Sequence, residues 1–327
     1  MYFSVIIPVY NRPDEIRELL QSLTSQTFKD FEVIVVEDGS DNPCVIVVDS
    51  FRNQLDLHYF FIENVAQGFA RNYGMNQANG DYFVLFDSDC IIPPHYLTVL
   101  NHAIETHGLD AHGGPDAAEE GFSNFQKAIN YSMTSVLTTG GIRGKMKDLS
   151  KFQARGFNMG LSKKAFEETR GFIDPNRGED IELSIRLKKS GFKLELVEEA
   201  FVYHKRKNTW QSFFRQSFSF GQNRVNVTRY HPEAVKLVHV LPALFLMGWI
   251  LLIGLMAIGY WFPSLSVLIT SGFLIYGLWI LAVFVHSTFL NQSLWVGFLS
   301  IFTSFGQLSC YGAGLISEGV KKVFAFK

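Results

Sequence analysis

Cysteine is scarce in this chain of 327 residues, which contains only three. Cys44, Cys90 and Cys310 lie far apart and show no Cys-x-x-Cys spacing, so the sequence supports neither a zinc site nor a disulfide framework. Scarce, unpatterned cysteines are typical of a reducing, cytosolic environment. We also expect no secretory signal peptide, because residues 1–10 lack a basic leader and run directly into a strand pattern.

A strong net charge is also absent, since the formal net charge is −2. We therefore expect no nucleic-acid partner. The sequence contains neither a G-x-G-x-x-G fingerprint nor a Walker lysine pattern, which argues against a dinucleotide-binding fold and against a P-loop. Charged residues nearly disappear after Lys236. This change predicts a water-soluble part followed by a membrane part.

The most informative stretch is residues 81–89, DYFVLFDSD. Its short apolar run follows an Asn-Gly turn and predicts a strand that is buried on both faces. The strand ends at Asp87 and Asp89, where open α/β sheets place their ligands. Two carboxylates at this spacing can hold a hard divalent cation, which in turn binds phosphate oxygens. By itself, however, an Asp-x-Asp triplet is more often a solvated loop.

Three further strands are predicted upstream, at residues 4–10, 31–36 and 57–62, with helical patterns between them. Strands that alternate with helices predict an α/β fold with a mostly parallel sheet. Three of the four strands end in polar clusters, namely Asn11-Arg12, Glu37-Asp38 and Asp87-Ser88-Asp89. We expect these clusters to meet at one edge of the sheet. Downstream, we expect strands at residues 109–114, 152–161 and 194–203.

Four elements carry a resemblance to a known family: SVIIPVYNR, VVEDGS, GFARNYG and FDSD. In order and spacing they resemble the nucleotide-sugar-binding half of the family-2 glycosyltransferases, which have a Rossmann-like GT-A fold. The later segment GEDIELSIRLKKSG resembles the acceptor-side helix of that family. The resemblance covers residues 3–225 and implies an inverting transfer from a nucleotide-sugar donor.

On the donor side, the resemblance implies that Asp38 hydrogen-bonds the uracil ring of a UDP-sugar. It implies that Arg71 holds the base or the diphosphate, and that Pro8 and Tyr10 also bind the substrate. A local alternative exists for two of these residues. Asp38 also fits an ordinary Asp-Gly turn, and Arg71 also fits a surface cation on a helix.

The implied metal ion is Mg²⁺ or Mn²⁺, with Asp89 as its ligand and with Asp87 near both the metal and the ribose of the donor. In several GT-A enzymes a histidine completes the metal shell, and His204 holds the matching position, although a lone histidine is usually structural. Asp180 is implied as the general base, with Glu179 beside it as a substrate-binding residue. Acidic residues also occur in the first turn of helices for a local reason, the helix dipole.

The second predicted region, residues 209–236, has aromatic residues at helical spacing and a basic polar face. Such a helix can lie in the membrane interface, or it can be an ordinary packed helix. The segment resembles the FRQ…FGxxR element of bacterial non-processive, membrane-attached enzymes. This implies that Arg215 and Arg224 bind the diphosphate of the donor or of a lipid acceptor. The Trp motif of processive synthases is missing.

The third predicted region, residues 237–327, contains apolar stretches at 238–260, 265–285 and 294–316. Each is long enough to span the ~30 Å of hydrocarbon in a bilayer. Three spans would place the C-terminal lysines outside, against the positive-inside tendency, so the third stretch either re-enters or breaks the rule.

The sequence therefore predicts a GT-A domain at residues 1–208 on the cytosolic face of the inner membrane, followed by a multi-pass membrane region. The expected acceptor is a lipid-linked or membrane-presented glycan in polysaccharide biosynthesis, and the expected further partner is membrane lipid. Two alternatives stay open: a polyprenyl-phosphate glycosyltransferase, and a catalytically silent nucleotide-sugar-binding subunit of a membrane assembly.

Overall fold

The computed structural model describes residues 1–117, 122–139, 152–204 and 209–325. The chain divides into two compact units. The first comprises Met1–Glu119 and Asp148–Lys205, and the second comprises Glu120–Lys147 and Arg206–Lys327. Part of the second unit thus interrupts the first in sequence. The sequence suggested three consecutive regions instead, at residues 1–208, 209–236 and 237–327. That division stays a prediction.

Short apolar runs form the strands, most of which lie where the sequence predicted them. Ten strands lie in the described residues: β1 Phe3–Val9, β2 Phe31–Asp38, β3 Leu57–Ile62, β4 Tyr82–Phe86, β5 Cys90–Ile91, β6 Ala111–Gly113, β7 Asp116–Ala117, β8 Asn158–Ser162, β9 Leu194–Leu196 and β10 Val202–His204.

Helices follow or flank the strands in the first unit and make up most of the second. Twelve α-helices lie in the described residues: α1 Pro13–Thr24, α2 Val45–Asp49, α3 Gln67–Gln77, α4 Tyr96–His107, α5 Asn124–Thr134, α6 Val136–Thr139, α7 Lys163–Thr169, α8 Glu179–Lys189, α9 Trp210–Asn226, α10 Leu237–Gly259, α11 Ser266–Asn291 and α12 Leu294–Ala325.

The large sheet of the first unit has the strand order β3-β2-β1-β4-β8-β6-β9. The strands β1 to β4 are parallel, β8 is antiparallel to both of its neighbours, and β9 is again parallel to β6. The mostly parallel, helix-flanked sheet predicted from the sequence is confirmed. The strand order reverses between β1 and β4, and open α/β sheets bind their ligands at such a point.

Two strand predictions need correction. The stretch at residues 194–203 forms two strands, because β9 belongs to the large sheet and β10 to a small sheet of order β5-β10-β7. A turn separates them, in which the N–H of Ala200 donates to the carbonyl of Val197 at 3.1 Å. The stretch at residues 152–161 begins as a strand only at Asn158, whose N–H closes a tight turn on the carbonyl of Arg155 at 2.9 Å.

A buried hydrogen-bond chain joins β4, β6, β8 and α4. The hydroxyl of Tyr96 donates to Oδ1 of Asn158 at 2.6 Å, so its oxygen accepts from Nε2 of His112 at 3.0 Å. Nδ1 of His112 then accepts from the hydroxyl of Tyr82 at 3.0 Å. These three hydrogen bonds can all form only if the imidazole of His112 is neutral and carries its proton on Nε2. Burial lowers the pKa of His112 to about 3.

The hydrogen bonds of the buried His112 predict that the folded protein loses stability in acid. Between pH 6.5 and 3 the unfolded chain protonates His112, whereas the folded chain does not. The unfolded state then binds more protons, so the free energy of unfolding falls as the pH falls, by on the order of 4 kcal/mol when the window is crossed. The thermal midpoint of the His112→Phe variant should be lower at neutral pH but less dependent on pH. The exposed His102 on α4 is the matched control, as His102→Phe. Parallel pH profiles for His112→Phe and the parent chain would contradict the assignment.

In the second unit, α9 packs through its aromatic face. Phe213 is 1% exposed and lies against Ile129 and Met133 of α5. Glycines bring α9 and α12 together, since a Cβ at Gly221 would lie 2.1 Å from the carbonyl oxygen of Tyr311. Close backbone approach at small residues is typical of helices that pack in membranes.

α10 and α11 form an antiparallel hairpin, in which the hydroxyl of Tyr276 donates to the carbonyl of Phe245 at 2.7 Å. Among the described residues, Leu237–Gly259 and Pro263–Asn291 are long and apolar enough to cross a membrane. Only 11% and 6% of their most apolar parts are buried in the protein. The predicted C-terminal helical region with apolar candidate spans is thereby confirmed for two helices. α12, which contains the third predicted stretch, is not among the candidate spans of the described residues.

Candidate active site

Three loops leave the carboxyl edge of the large sheet around the point where its strand order reverses. They follow β1, β2 and β4, and they carry Arg12, Asp38 and the pair Asp87 and Asp89. Because these strands are parallel neighbours, their carboxyl ends lie side by side. The expectation that the polar clusters meet at one edge therefore follows directly from the topology.

Asp38 is oriented by the loop that follows β3. Its Oδ1 accepts a hydrogen bond from the N–H of Val65 at 2.7 Å. Burial raises the pKa of Asp38, while the N–H groups of Val65 and Ala66 oppose that rise. Gly39 follows with a φ of +71°, and a side chain there would collide with Asn64. The chain thus bends at Gly39, as the sequence alternative implied, while the N–H of Val65 orients the carboxylate of Asp38.

The buried Glu37 ties two of the loops together. Its carboxylate accepts the N–H of Cys44 at 2.7 Å and the hydroxyl of Ser40. The oxygen of Ser40 in turn accepts the N–H of Asn11, which follows β1, at 2.7 Å. The loops after β1 and β2 are therefore held in one arrangement by a single carboxylate.

Asp89 pairs with an arginine from the loop after β1. Nη1 of Arg12 lies 2.6 Å from Oδ2 of Asp89, whose side chain is 10% exposed. Burial alone would lower the pKa of Arg12, but the charge and hydrogen bond of Asp89, together with the charges of Glu15 and Asp87, raise it overall. Arg12 was not among the residues predicted for the site, although its polar cluster at the end of β1 pointed to this edge.

Arg71 lies fully buried between the two acidic parts of the site. Nη2 of Arg71 is 2.6 Å from Oδ1 of Asp87, and its Nη1 is 3.4 Å from Oε1 of Glu179. The ring of Phe172 covers the guanidinium, with its centroid 5.4 Å from Cζ. A Cβ at Gly156 would lie 2.8 Å from Nη1 and Nη2, so the backbone there closes over the guanidinium. Arg71 is therefore an internal cation and not the surface cation of the sequence alternative.

Electrostatics in this cluster favour a neutral Glu179 at mildly acidic pH. Burial, and next the charge of Asp180, raise the pKa of Glu179 to about 7, although Arg71 opposes the rise. Nε2 of Gln67 donates to the same oxygen of Glu179 at 2.6 Å. For Arg71, burial alone would lower the pKa, but the charges of Asp87 and Glu179 raise it.

Asp180 opens α8 and is more accessible than Glu179. Gly178 precedes the helix with a φ of +83°, in the left-handed region that favours glycine. Each carboxylate oxygen of Asp180 accepts one backbone N–H: Oδ1 from Ile181 at 2.7 Å and Oδ2 from Gly156 at 3.3 Å. Each oxygen keeps a further lone pair, so the carboxylate can still accept a proton from a bound hydroxyl.

The Asp87 and Asp89 pair offers hard oxygen ligands of the type that Mg²⁺ and Mn²⁺ prefer. Among the described residues, no group of three or more His, Cys, Asp or Glu side chains is close enough to hold a metal. The donor set therefore fits a cation that takes two protein carboxylates and completes its shell with phosphate oxygens and water. Each carboxylate also has an arginine partner, namely Arg71 on Asp87 and Arg12 on Asp89.

The other predicted residues lie at or near the same edge of the first unit, or in the second unit. Pro8 is buried in β1 opposite Val36, and Tyr10 follows the strand with half of its surface exposed. The backbone of His204 pairs with Cys90, the residue after Asp89, whereas its side chain lies outside the described part of the chain.

Arg215 and Arg224 both belong to α9, in the second unit. Arg215 is exposed, and Arg224 is 6% exposed. Their proposed contact with a diphosphate stays a prediction.

Sequence reasoning missed three further groups around Arg71: Gln67, Gly156 and Phe172. Gln67 lies one turn before Arg71 on α3, so its helical spacing offered a signal. Gly156 and Phe172 come from loops far along the chain, and nothing in their local sequence indicates that they enclose a cation.

Comparison with known proteins gives a consistent picture. The sequence model of a family described as glycosyl transferase family 2 matches residues 4–170, just over half of the chain. A GalNAc(5)-diNAcBac-PP-undecaprenol β-1,3-glucosyltransferase of Campylobacter jejuni is 26% identical over 73% of this chain and 73% of its own length. An uncharacterised glycosyltransferase of Rickettsia typhi is 37% identical over 30% of this chain, and the match spans only 31% of that relative.

One solved structure covers nearly the whole chain. A mannosyltransferase of Pyrobaculum calidifontis in complex with GDP-Man and Mn²⁺ matches 99% of this chain and 88% of its own, with a TM-score of 0.64 and 16% sequence identity. At this identity the match establishes a shared fold, and it includes the helical second unit as well as the sheet.

Proposed function

Because the chain belongs to glycosyltransferase family 2, as its sequence motifs predicted, we propose that it transfers a sugar from a UDP-sugar to a lipid-linked or membrane-presented glycan. One observation carries this proposal. Asp38, the pair Asp87 and Asp89, and Asp180 are all held at one edge of the sheet, where Arg71 and Glu179 link the metal-type pair to Asp180.

The proposed reaction is a single inverting displacement. The acceptor hydroxyl forms a bond to the anomeric carbon while the bond from that carbon to the β-phosphate oxygen breaks. Asp180 takes the proton of the hydroxyl, and the nucleoside diphosphate leaves with the electron pair of the broken bond. Asp38 orients the base of the donor.

A divalent cation on Asp89 and Asp87 would neutralise charge on the leaving diphosphate. Arg12 competes with the cation for the same oxygen of Asp89. We therefore expect Arg12→Gln to bind Mn²⁺ about tenfold more tightly than the parent chain in the absence of nucleotide, because solvent at the 37% exposed side chain of Arg12 screens its charge to an effect of roughly 1 kcal/mol.

The measurement for Arg12 is a direct Mn²⁺ titration followed by the electron spin resonance of free Mn²⁺. Arg17→Gln is the matched control, since Arg17 lies in α1, which begins just after Arg12, and is exposed. Unchanged Mn²⁺ affinity in Arg12→Gln would show that the ion pair does not limit metal binding.

The membrane part of the proposal rests on α10 and α11, whose apolar surfaces are mostly uncovered by protein. We propose a multi-pass protein of the inner membrane, with the first unit in the cytosol. The Campylobacter jejuni relative acts, by its name, on an undecaprenol-linked glycan. This supports an acceptor that is presented by the membrane, and a role in polysaccharide biosynthesis.

The test is a transfer assay with the purified full-length chain in lipid vesicles. Radiolabelled UDP- and GDP-sugars are offered with polyprenyl-diphosphate-linked glycans, and in parallel with polyprenyl phosphate. Label that moves from a UDP-sugar to a lipid-linked glycan supports the proposal. Label that moves only to polyprenyl phosphate, or only from a GDP-sugar, would correct the acceptor or the donor. Nucleotide-sugar binding without any transfer would point to a silent binding subunit.

A further inference from the structure

α12 packs against the first half of α10 and the last turns of α11. Phe305 of α12 contacts Phe245 and Trp249 of α10, with ring centroids 5.4 and 5.5 Å away. The hydroxyls of Ser300 on α12 and Ser287 on α11 are 2.7 Å apart. The beginning of α10 and the end of α11 lie at the same end of an antiparallel hairpin, here called its base, so α12 packs against the hairpin between its base and the middle of α10.

The opposite end of the hairpin has apolar side chains with little protein around them. The following residues near the turn between α10 and α11 are 46–75% exposed: Ile253, Met256, Ile258, Val267 and Leu268. Large uncovered apolar surfaces on long helices are typical of contact with lipid. The turn end of the hairpin thus has the apolar exposed surface that is typical of contact with lipid, whereas α12 packs against the other half.

The two faces of α12 differ in chemistry. One face is buried and polar, and it carries Ser300, Thr303, Ser304 and Gln307. α5 covers part of this face, since the hydroxyl of Thr303 donates to the carbonyl of Ala128 at 3.1 Å. Ser287 of α11 covers another part through Ser300, so this face of α12 packs on α5 and on α11.

The other face carries an aromatic stripe, defined as Trp295, Phe298, Phe302 and Phe305. These residues recur at intervals of three and four, so they share one side of the helix. The first three are 57%, 44% and 50% exposed, and Phe305 is the member that meets the hairpin. The stripe therefore adjoins α10 at Phe305, while its other three members are uncovered by protein. Further along α12, Val320 and Val323 continue the same face and are 50% and 65% exposed.

We propose that α12 lies in the plane of the bilayer surface and that its aromatic stripe inserts into the same leaflet that the hairpin enters. This rests on the proposed function, because it takes the hairpin to be in a membrane. The partner is lipid, with acyl chains against the stripe. A second copy of the chain is the alternative occupant, but the stripe continues the uncovered apolar surface of the hairpin, which favours lipid.

Contacts near the C-terminal end of α12 are consistent with a helix that stays on the side of the membrane where the hairpin begins. Nη2 of Arg229 lies 3.4 Å from Oε1 of Glu318, and Nζ of Lys322 donates to Oγ1 of Thr228 at 2.5 Å. The C-terminal part of α12 is therefore tied to the segment just before α10, on the side where the hairpin begins. Two spans in place of three keep these basic residues on the cytosolic side, which removes the conflict with the positive-inside tendency.

The test measures depth in the bilayer with tryptophan reporters in the full-length chain. Phe302→Trp and Val323→Trp report on α12, and Leu274→Trp reports on the middle of α11, where Leu274 is 62% exposed. Vesicles of phosphatidylethanolamine and phosphatidylglycerol carry bromine either near the carboxyl end or near the methyl end of the acyl chains. The added fluorescence of each variant over the parent chain is compared in the two kinds of vesicle.

We expect Phe302→Trp and Val323→Trp to be quenched at least about twofold more by the shallow bromines, and Leu274→Trp by the deep ones. Deep quenching of Phe302→Trp would mean that α12 spans the membrane and would overturn the inference. Absent quenching of both α12 reporters, with deep quenching of Leu274→Trp, would mean that protein covers the stripe and would also overturn it. Absent quenching of Leu274→Trp would overturn the membrane part of the proposed function, and the inference with it.

Discussion

Replacing Asp180 with Asn is expected to lower turnover by about 10²-fold or more, the usual scale for the loss of a general base. Asn has nearly the same shape as Asp but cannot take a proton from the acceptor hydroxyl. Its amide oxygen can keep the hydrogen bond from the N–H of Ile181, so α8 should begin as before. The affinity for UDP should change little, because Asp38 and Asp89 are untouched.

The measurement pairs UDP affinity with transfer rate in the same preparation of Asp180→Asn. Glu168→Gln is the matched control, because Glu168 is an exposed carboxylate on α7. Near-normal transfer would mean that another group is the base, and Glu179, with its pKa raised to about 7, is the first to test. A parallel loss of affinity and rate would instead place Asp180 in the donor or metal site.

Replacing Arg71 with Met is expected to destabilise the first unit by about 3–5 kcal/mol, the usual cost of removing one partner from a buried ion pair. Arg71 is 1% exposed and lies between Asp87 and Glu179. Without it, two carboxylates face each other with no cation. The loss should be greater at pH 8 than at pH 6, because Glu179 becomes neutral as the pH falls below about 7 and the repulsion then decreases.

Two further variants separate charge from packing at Arg71. Arg71→Lys keeps the positive charge but loses the planar fork that reaches both carboxylates, so an intermediate loss is expected. Adding Glu179→Gln to Arg71→Met should recover part of the loss, which a double-mutant cycle on thermal midpoints measures. Equal effects of Arg71→Met at pH 6 and pH 8 would show that Glu179 does not respond to Arg71.

Much of the fold was predictable because burial leaves a direct trace in the sequence. The apolar runs of β1, β2 and β4 have no polar position along most of their length, and they lie in the centre of a parallel sheet. Their polar ends therefore had to meet at one edge, which is why Asp38, Asp87 and Asp89 could be named before the structure was known. Their chemical roles stay predictions.

The partners of the charged groups could not be predicted in the same way. Whether Arg71 faces solvent or two carboxylates depends on Phe172 and Gly156, which enclose it. Both lie in loops about 100 residues away in sequence; the hydrogen bond between Asn72 and Phe172, for example, joins residues 100 positions apart. Arg12 was visible as part of a polar cluster, but its pairing with Asp89 depends on the turn that follows β1. The local sequence pattern therefore predicts which residues lie at the edge of the sheet. Which charged residues pair there depends on long-range packing.

The third apolar stretch shows a different limit. Length and lack of charge made residues 294–316 look like the two spans before them. The Ser, Thr and Gln side chains of α12 become informative only once their common face is seen to be covered by α5 and α11. Amphipathic helices and spans of similar length differ in the arrangement of their polar residues more than in their number.

The interruption of the first unit by residues 120–147 has a consequence for synthesis on the ribosome. Ala128 of α5 meets Thr303 of α12, which is made 175 residues later. At the usual rate of roughly 5–20 residues per second, α5 waits on the order of ten seconds or more for its covering helix. During that time the Ala128 side of α5 is exposed on the nascent chain, and Ile129 and Met133 are exposed until α9 with Phe213 has been made. A chain that ends before α12 would keep the apolar hairpin α10–α11 and would leave the Ala128 side of α5 permanently uncovered, so part of its tendency to aggregate would arise in the middle of the sequence.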